Sequence, residues 1–373
     1  MARLDQICKL NMGQSPDSSS YNENKIGMPF FQGNADFGTL HPTVRIWCSA
    51  PTKVANPGDI LISVRAPIGA LNIANVECCI GRGLAALTVD ERKCKKEYLW
   101  HAISSKVDEL NSKGTGSTFK AISKNILAET EIPLPNLDMQ THIAAVLDKI
   151  DNLISFRKQQ LARLDKLVKA RFVELFGDTI LNPFGWKKDL LGTVCDVRDG
   201  THDSPQYFES GYPLVTSKNV TGGKIDLTDC SLICEADFKK INERSKVDIG
   251  DIIMPMIGTV GKPAIVDIEP NFAIKNVSLI KFKADSRVLN IYIRALLQSD
   301  YFDDAVLSKV RGGTQKFISL GDIRKLEVLV PPMELQEQFA TFIKQTDKSK
   351  LAVQQSLDKL ELLKKALMQK YFG

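Results

Sequence analysis

Internal repetition constrains this chain more than any local motif does. Displacing the 373-residue sequence by 196 positions lays residues 116–177 on residues 312–373 without a gap. Gly116, Thr118, Lys120, Ile122 and Ser123 then meet Gly312, Thr314, Lys316, Ile318 and Ser319. Glu131, Pro135, Gln140, Ala144 and Asp151 meet Glu327, Pro331, Gln336, Ala340 and Asp347. The match is densest at the end, where Leu161, Leu164, Leu167, Lys169, Ala170, Phe176 and Gly177 meet Leu357, Leu360, Leu363, Lys365, Ala366, Phe372 and Gly373. Upstream the offset drifts. Asn56-Pro57-Gly58-Asp59-Ile60 resembles Asp248-Ile249-Gly250-Asp251-Ile252 at 192, Gly27-Met28-Pro29 resembles Gly211-Tyr212-Pro213 at 184, and Ile7-Cys8 resembles Val194-Cys195 at 187. The chain reads as a duplication, 1–177 and 178–373, in which a divergent part precedes a better kept segment.

The kept segments read as long helices. Neither Leu137–Phe176 nor Met333–Phe372 contains Gly or Pro. Each follows a proline stop, Pro133-Leu134-Pro135 or Pro331-Pro332, and each ends at a glycine suited to the residue after a helix, Gly177 or Gly373. In the first, Ile143, Leu147, Ile150, Ile154, Leu161, Leu164 and Val168 recur at steps of three and four, a heptad stripe broken at Arg157. In the second, Phe339, Ile343, Val353, Leu357, Leu360 and Leu367 keep the same phase. Each helix extends about 60 Å at a rise of about 1.5 Å per residue, too long to fold inside a small globule. The two stripes are expected to bury each other as a long antiparallel coiled-coil pair separating two globular domains.

The divergent parts read as strand-rich α+β. Ile60-Leu61-Ile62-Ser63-Val64 and Ile252-Ile253-Met254-Pro255-Met256-Ile257 are short apolar runs flanked by turn residues, and helical patterns follow at Glu97–Leu110 and Leu289–Val306. A composition of 43% hydrophobic and 25% charged residues is that of a globular protein and excludes a disordered or collagen-like chain. No run approaches the roughly 18 to 20 apolar residues of a membrane span, and the opening residues lack an apolar leader core. Eight scattered cysteines, of which only Cys78 and Cys79 adjoin, do not make a disulfide framework. Reduced thiols in a cytoplasm, away from any membrane, are the expectation. A formal charge of +5 permits nucleic-acid binding without requiring it.

Catalytic motifs are missing. There is no G-x-x-x-x-G-K-[ST], so Gly222-Gly223-Lys224 and Gly261-Lys262-Pro263 read as turns, and Gly81-Arg82-Gly83 stops short of a dinucleotide fingerprint. His41, His101, His142 and His202 show no metal spacing, and no metal site is expected. Asn182-Pro183-Phe184-Gly185 departs at two positions from the [ND]-P-P-[YF] motif of amino-methyltransferases and sits at the repeat junction, where a linker is the better reading.

What remains is a set of polar loops at equivalent places in both halves. Gly13-Gln14-Ser15-Pro16 pairs with Gly200-Thr201-His202-Asp203-Ser204-Pro205, and Phe31-Gln32-Gly33-Asn34 pairs with Val215-Thr216-Ser217-Lys218-Asn219. Residues 113–120 pair with residues 309–316. Amide and cationic side chains can bond purine edges, while Gly and Ser or Thr let backbone amides approach phosphates. A solvated turn accounts for any one of these loops alone. Recurrence in both halves adds weight, although duplicated domains keep structural turns too.

The whole pattern resembles the specificity subunits of type I restriction–modification systems. The residues carrying the resemblance are Pro331-Pro332-Met333-Glu334-Leu335-Gln336 and its worn copy Pro135-Asn136-Leu137-Asp138-Met139-Gln140. Asp199-Gly200-Thr201-His202-Asp203-Ser204-Pro205, Pro213-Leu214-Val215 and Gly258-Thr259-Val260-Gly261 add to it. The first half departs more, with Arg65-Ala66-Pro67-Ile68-Gly69 where Ile257-Gly258-Thr259-Val260-Gly261 stands in the second.

The resemblance implies target-recognition domains at 1–136 and 178–332 and spacer helices at 137–177 and 333–373. Each domain would read one half of a bipartite site on double-stranded DNA, and the helix pair would set the unread spacer, since successive faces of B-DNA recur about every 34 Å. The chain itself would carry no cofactor and do no bond chemistry. Two modification (methyltransferase) subunits would bring S-adenosylmethionine and flip the adenine. Two restriction (translocase/endonuclease) subunits would use ATP and Mg. Loop residues of the right type give the DNA-contact expectations Gln14, Gln32, Asn34, Arg65 and Lys120 in the first domain. His202, Lys218, Asn219, Lys262, Gln315 and Lys316 are their counterparts in the second. The alternatives are a coiled-coil scaffold joining two protein-binding domains, the specificity subunit of a methylation-only system, and a self-contained methyltransferase or nuclease, against which the missing motifs argue.

Overall fold

The computed structural model describes residues 1–116, 120–257, 261–305 and 317–373. The chain divides into two compact units, one formed by Met1–Lys158 with Gln355–Gly373 and the other by Gln159–Gln354. The units therefore cut across the sequence repeat, because each takes in part of both long helices. Those helices run over Leu137–Phe176 and Met333–Phe372, the bounds that the Gly- and Pro-free runs predict. Gly177 follows the first in the left-handed region, at φ 77°, where a side chain would be strained.

In the first unit a four-stranded antiparallel sheet orders Cys8–Met12, Leu84–Val89, Ile60–Ser63 and Leu71–Ile73. Strand alternation sends its residues to two different cores. Ile60, Ile62, Ala85 and Leu87 join Leu4, Tyr98, Leu99 and Ile103 in one, whereas Leu61, Leu84 and Ala86 join Phe31, Cys78 and Ile80 in the other. The first face is covered by the helix Lys96–Ser105 and the second by a five-stranded sheet. In that sheet Met28–Phe31 pairs in parallel with Cys78–Ile80. A buried two-faced sheet explains why these strands are continuous apolar runs.

The second unit repeats the plan. Asp196–Asp199, Val277–Lys281, Ile252–Pro255 and Ala264–Ile265 form the four-stranded sheet, and Tyr212–Val215 pairs in parallel with Ala273–Ile274. Ile252, Met254 and Ile280 face one core, Ile253, Val277 and Leu279 the other. The shared Gly-Asp turns have a structural cause. Asp59 and Asp251 are buried carboxylates that accept from Asn56 N at 2.9 Å and from Asp248 N at 2.8 Å, and Gly58 and Gly250 hold φ 92° and 91°. The helical patterns are each broken in two, giving Lys96–Ser105 and Val107–Ser112, then Asn290–Leu297 and Asp300–Ala305; Val306 lies outside the described residues.

The heptad stripes meet two fates, not one. Their middles, Ile150, Ile154, Leu161, Leu164, Val353, Leu357 and Leu360, are buried or half-buried along the helices. Their ends enter domain cores instead of facing only one another. Ile143 and Leu147 join the first unit's core, where Phe372 is buried and Leu367 packs against it, while Phe172, Phe176, Phe339 and Ile343 join the second unit's core. Within the first unit the helix segments run antiparallel, shown by ion pairs Asp151–Lys364 at 2.5 Å and Lys158–Glu361 at 2.9 Å. Arg157, the break in the stripe, bonds Ser356 at 3.2 Å. In the second unit Asp165 pairs with Lys350 at 2.6 Å and Arg171 lies over the Phe342 ring.

A buried amide fixes each long helix to its domain. Gln140 is fully buried; its Oε1 accepts from Lys95 N at 2.8 Å, and its Nε2 donates to Lys93 O at 3.2 Å and Pro135 O at 2.8 Å. Gln336 repeats the clamp on Leu289 N at 2.8 Å, Arg287 O at 3.0 Å and Pro331 O at 2.9 Å. The Pro-x-x-x-x-Gln signature is thus an anchor. Replacing Gln336 by Leu strands one buried N–H and two carbonyls, and each unsatisfied group costs about 1–3 kcal/mol. The variant is expected to lose about 3 kcal/mol, read as a lower urea midpoint in the fluorescence of Trp186, with the second unit affected and the first spared.

Candidate nucleic-acid interface

In the first unit three loops dock on one short segment, Gly81-Arg82-Gly83. Gly13 N donates to Leu84 O at 2.9 Å, Gln14 N to Ile80 O at 3.0 Å, and Arg82 N to Ser15 Oγ at 3.3 Å. Gly81 N donates to Phe31 O at 2.8 Å and Gly83 N to Gln32 O at 3.2 Å. On the other side Val64 N donates to Gly83 O at 2.9 Å, which places Arg65 beside Lys120, whose carbonyl takes Ala66 N at 3.0 Å. Backbones this close demand glycine. A Cβ on Gly13 would stand 2.1 Å from Gly81 O, and one on Gly83 would stand 2.5 Å from Gln32 O. The glycine pair that fails as a dinucleotide fingerprint is the hub of the site.

The second unit builds the same hub on Ile274-Lys275-Asn276-Val277. Gly200 N donates to Val277 O at 3.0 Å, Thr201 N to Ile274 O at 3.0 Å, and Lys275 N to Val215 O at 2.9 Å. A Cβ on Gly200 would stand 2.4 Å from Ile274 O, as Gly13 requires in the first unit. Gly13 matches Gly200, Gln14 matches Thr201, and Gly81 matches Lys275 by these bonds, with Asn276 standing where the first unit has Arg82-Gly83.

The expected contacts are distributed over these hubs. Gln14, Gln32, Arg65 and Lys120 expose their side chains around the first, and Asn34 is half-buried in the turn Asn34–Asp36. That turn is held by Asp36, whose carboxylate accepts from Gln32 N at 2.7 Å and pairs with Arg45. Lys218 and Lys262 are exposed in the second unit. Asn219 is placed differently. It is 3% exposed, and its Oδ1 accepts from Thr216 N at 3.0 Å and Thr216 Oγ1 at 2.9 Å. Asn219 therefore shapes the loop that presents Lys218 and has no acceptor left at the surface. His202 has both ring nitrogens engaged, by Asp199 at 2.9 Å and Asn276 at 2.9 Å, so it offers charge and a ring face but no free edge for base bonding. Gln315 and Lys316, with Gly258, Thr259 and Val260, lie outside the described residues, as do Ser117, Thr118 and Phe119.

Arg82 is the residue that loop-by-loop reading passes over. It stands exposed at the centre of the first hub and makes no ion pair among the described residues. The signal for it is the Gly-x-Gly frame, read as close backbone approach. His101 and the Asn-Pro-Phe-Gly stretch are structural. His101 is 2% exposed and bonds Asp148 at 2.7 Å, and Asn182 closes a turn through two bonds to the Trp186 backbone at 2.8 and 2.9 Å. No group of metal-ligating side chains occurs among the described residues.

Comparison with known proteins places this arrangement. The family described as "Type I restriction modification DNA specificity domain" matches residues 1–166 and again 183–362, and the chain belongs to that family. A provisionally named type I restriction enzyme specificity subunit, MjaX of Methanocaldococcus jannaschii, is 42% identical over 165 residues, 44% of this chain and 39% of that one. The MjaIX specificity subunit of the same organism is 27% identical over 348 residues, 85% of this chain and 77% of its own length. The fold is shared with the crystal structure of the type I restriction–modification S subunit from M. genitalium, at a TM-score of 0.59 and 16% identity, covering 100% of this chain and 95% of that one.

Replacing Arg82 by Ala should weaken DNA binding by the assembled complex about tenfold and reduce its salt slope by about 1, the signature of one lost phosphate contact. Fluorescence titrations of a cognate duplex at several salt concentrations read both quantities. An unchanged slope would exclude Arg82 from the interface.

Proposed function

We propose that this chain is the sequence-reading subunit of a type I restriction–modification complex. The observation that carries the proposal is the repeated hub: two specificity-domain matches, each with loops gathered by backbone bonds on one segment of its own unit, three loops in the first and two in the second. Residues 1–136 and 178–332 act as the two target-recognition domains, and 137–177 and 333–373 as the spacer that docks the modification subunits.

In the first domain Gln14 and Gln32 have the chemistry for paired bonds to a purine edge. Arg65, Arg82 and Lys120 supply phosphate contacts, which position the reader without reading sequence. In the second, Lys218 and Lys262 take the positioning role, joined by Gln315 and Lys316. Asn34 and Asn219 support their loops. A net +5 suits a reader whose affinity comes partly from its partners. Methyl transfer belongs to modification subunits carrying S-adenosylmethionine, and cleavage to restriction subunits using ATP and Mg. The chain works in the cytoplasm, and none of its helices is long and apolar enough to cross a membrane among the described residues.

Methylome sequencing of the host with and without the gene tests the proposal. A bipartite adenine-methylated motif, two short specified halves around an unspecified spacer, should vanish on deletion and return on complementation. An unchanged methylome, or methyl transfer by the purified chain alone with S-adenosylmethionine, would contradict it.

A further inference from the structure

The second unit holds a charged cluster around His202 that has no counterpart at Ser15 among the described residues of the first. Asp199 ends the strand Asp196–Asp199 and is 7% exposed. Its Oδ1 takes the Arg244 guanidinium, and its Oδ2 lies 2.9 Å from Nε2 of His202. The other ring nitrogen, Nδ1, lies 2.9 Å from Oδ1 of Asn276. A neutral imidazole has one N–H and one bare nitrogen. This ring meets an oxygen acceptor at each nitrogen, and only the doubly protonated ring donates to both.

The surroundings agree with that reading. Asn276 first and then Asp199 raise the proton affinity of His202 above its ordinary value of 6.5, against desolvation and the Arg244 charge, which lower it. Asp203 follows in sequence, with its N–H on Thr201 Oγ1 at 3.1 Å, and the nearby Lys275 ammonium is turned to Ser204 Oγ at 2.7 Å. The His202 side chain is 62% exposed, so the ring stands at the loop surface and carries a charge there when protonated. In the first unit Ser15, the residue after Gln14, stands where His202 follows Thr201, and its hydroxyl accepts from Arg82 N at 3.3 Å.

We infer that Asp199 and Asn276 are positioning residues that hold His202 as a cation against the DNA backbone, so that the second domain reads its half-site in a protonation-dependent way and the first does not. The inference rests on the DNA-reading assignment above. Its sign follows from the raised proton affinity. The charge is fully present below the ordinary imidazole value and is lost as pH rises through the higher value of the folded state. Losing the proton removes both the phosphate attraction and one of the two ring bonds.

The test uses the chain assembled with its modification subunits and a labelled duplex carrying the methylome-defined target, at constant ionic strength, from about pH 6 to about pH 8.5. Wild-type affinity should fall on the order of tenfold across that range, the loss of one charge contact. His202→Gln should bind with a flat profile, at the strength of the wild type at high pH. Asn276→Asp places a second carboxylate beside the ring in a backbone conformation, φ 54°, that Asp tolerates, and should move the decline to higher pH. Duplexes with one half scrambled should keep the pH dependence for a single half-site. Equal pH profiles in wild type and His202→Gln would overturn the inference. Failure of the wild-type complex to bind at every pH would instead overturn the DNA-reading assignment itself.

Discussion

Everything at the reading surfaces depends on how each domain is closed by helix ends. In the first unit the phenol of Tyr98 donates to Pro133 O at 2.8 Å while its ring packs on Phe372, 5.4 Å between centroids. In the second, Tyr292 donates to Leu329 O at 2.9 Å and packs on Phe176 at 4.7 Å. Each tyrosine thus lies between the strand that leads into one long helix and the last turn of the other. The Gln140 and Gln336 clamps fix the start of the helix and the phenylalanine fixes the end. A core completed this way is tied to two helix segments at once, so the four-stranded sheet has a defined seat on them.

The hubs inherit that rigidity. Gly81-Arg82-Gly83 connects Cys78–Ile80 of one sheet to Leu84–Val89 of the other, and Lys275 and Asn276 join Ala273–Ile274 to Val277–Lys281 in the same way. Loops anchored by backbone bonds to a strand crossover can exchange side chains without moving their backbone. This separates the scaffold, which needs glycine and buried carboxylates, from the exposed loop side chains, which the scaffold does not use. The exposed groups differ between the units: an arginine at position 82 in the first, and a histidine held by Asn276 and Asp199 in the second.

Much of this was legible in the sequence, for physical reasons. The long helices have sharp bounds because Gly and Pro punctuate them, and their stripes follow from the heptad rule. What covers a stripe is not written in its period, so the passage of Phe176 and Phe372 into domain cores was not readable from spacing. Gln140 and Gln336 stand out as a repeated letter, but their partners lie some 45 residues upstream and emerge only in the fold. Asn219 was readable in principle, since Thr216-x-x-Asn219 is a local capping pattern, yet a polar residue in a loop also fits a reader. Arg82 was hidden because close backbone approach and phosphate cradling both ask for glycine.

The central physical claim is that a helix end from the second repeat completes the core of the first domain. Hydrogen exchange on the Phe372→Ala variant tests it most directly. Truncating a buried phenylalanine costs about 3–5 kcal/mol, so amides of Lys96–Ser105 and Leu84–Val89 should exchange on the order of a hundredfold faster, while Asn290–Leu297 in the second unit keeps its protection. Unchanged protection in Lys96–Ser105, or equal loss in both units, would contradict the account.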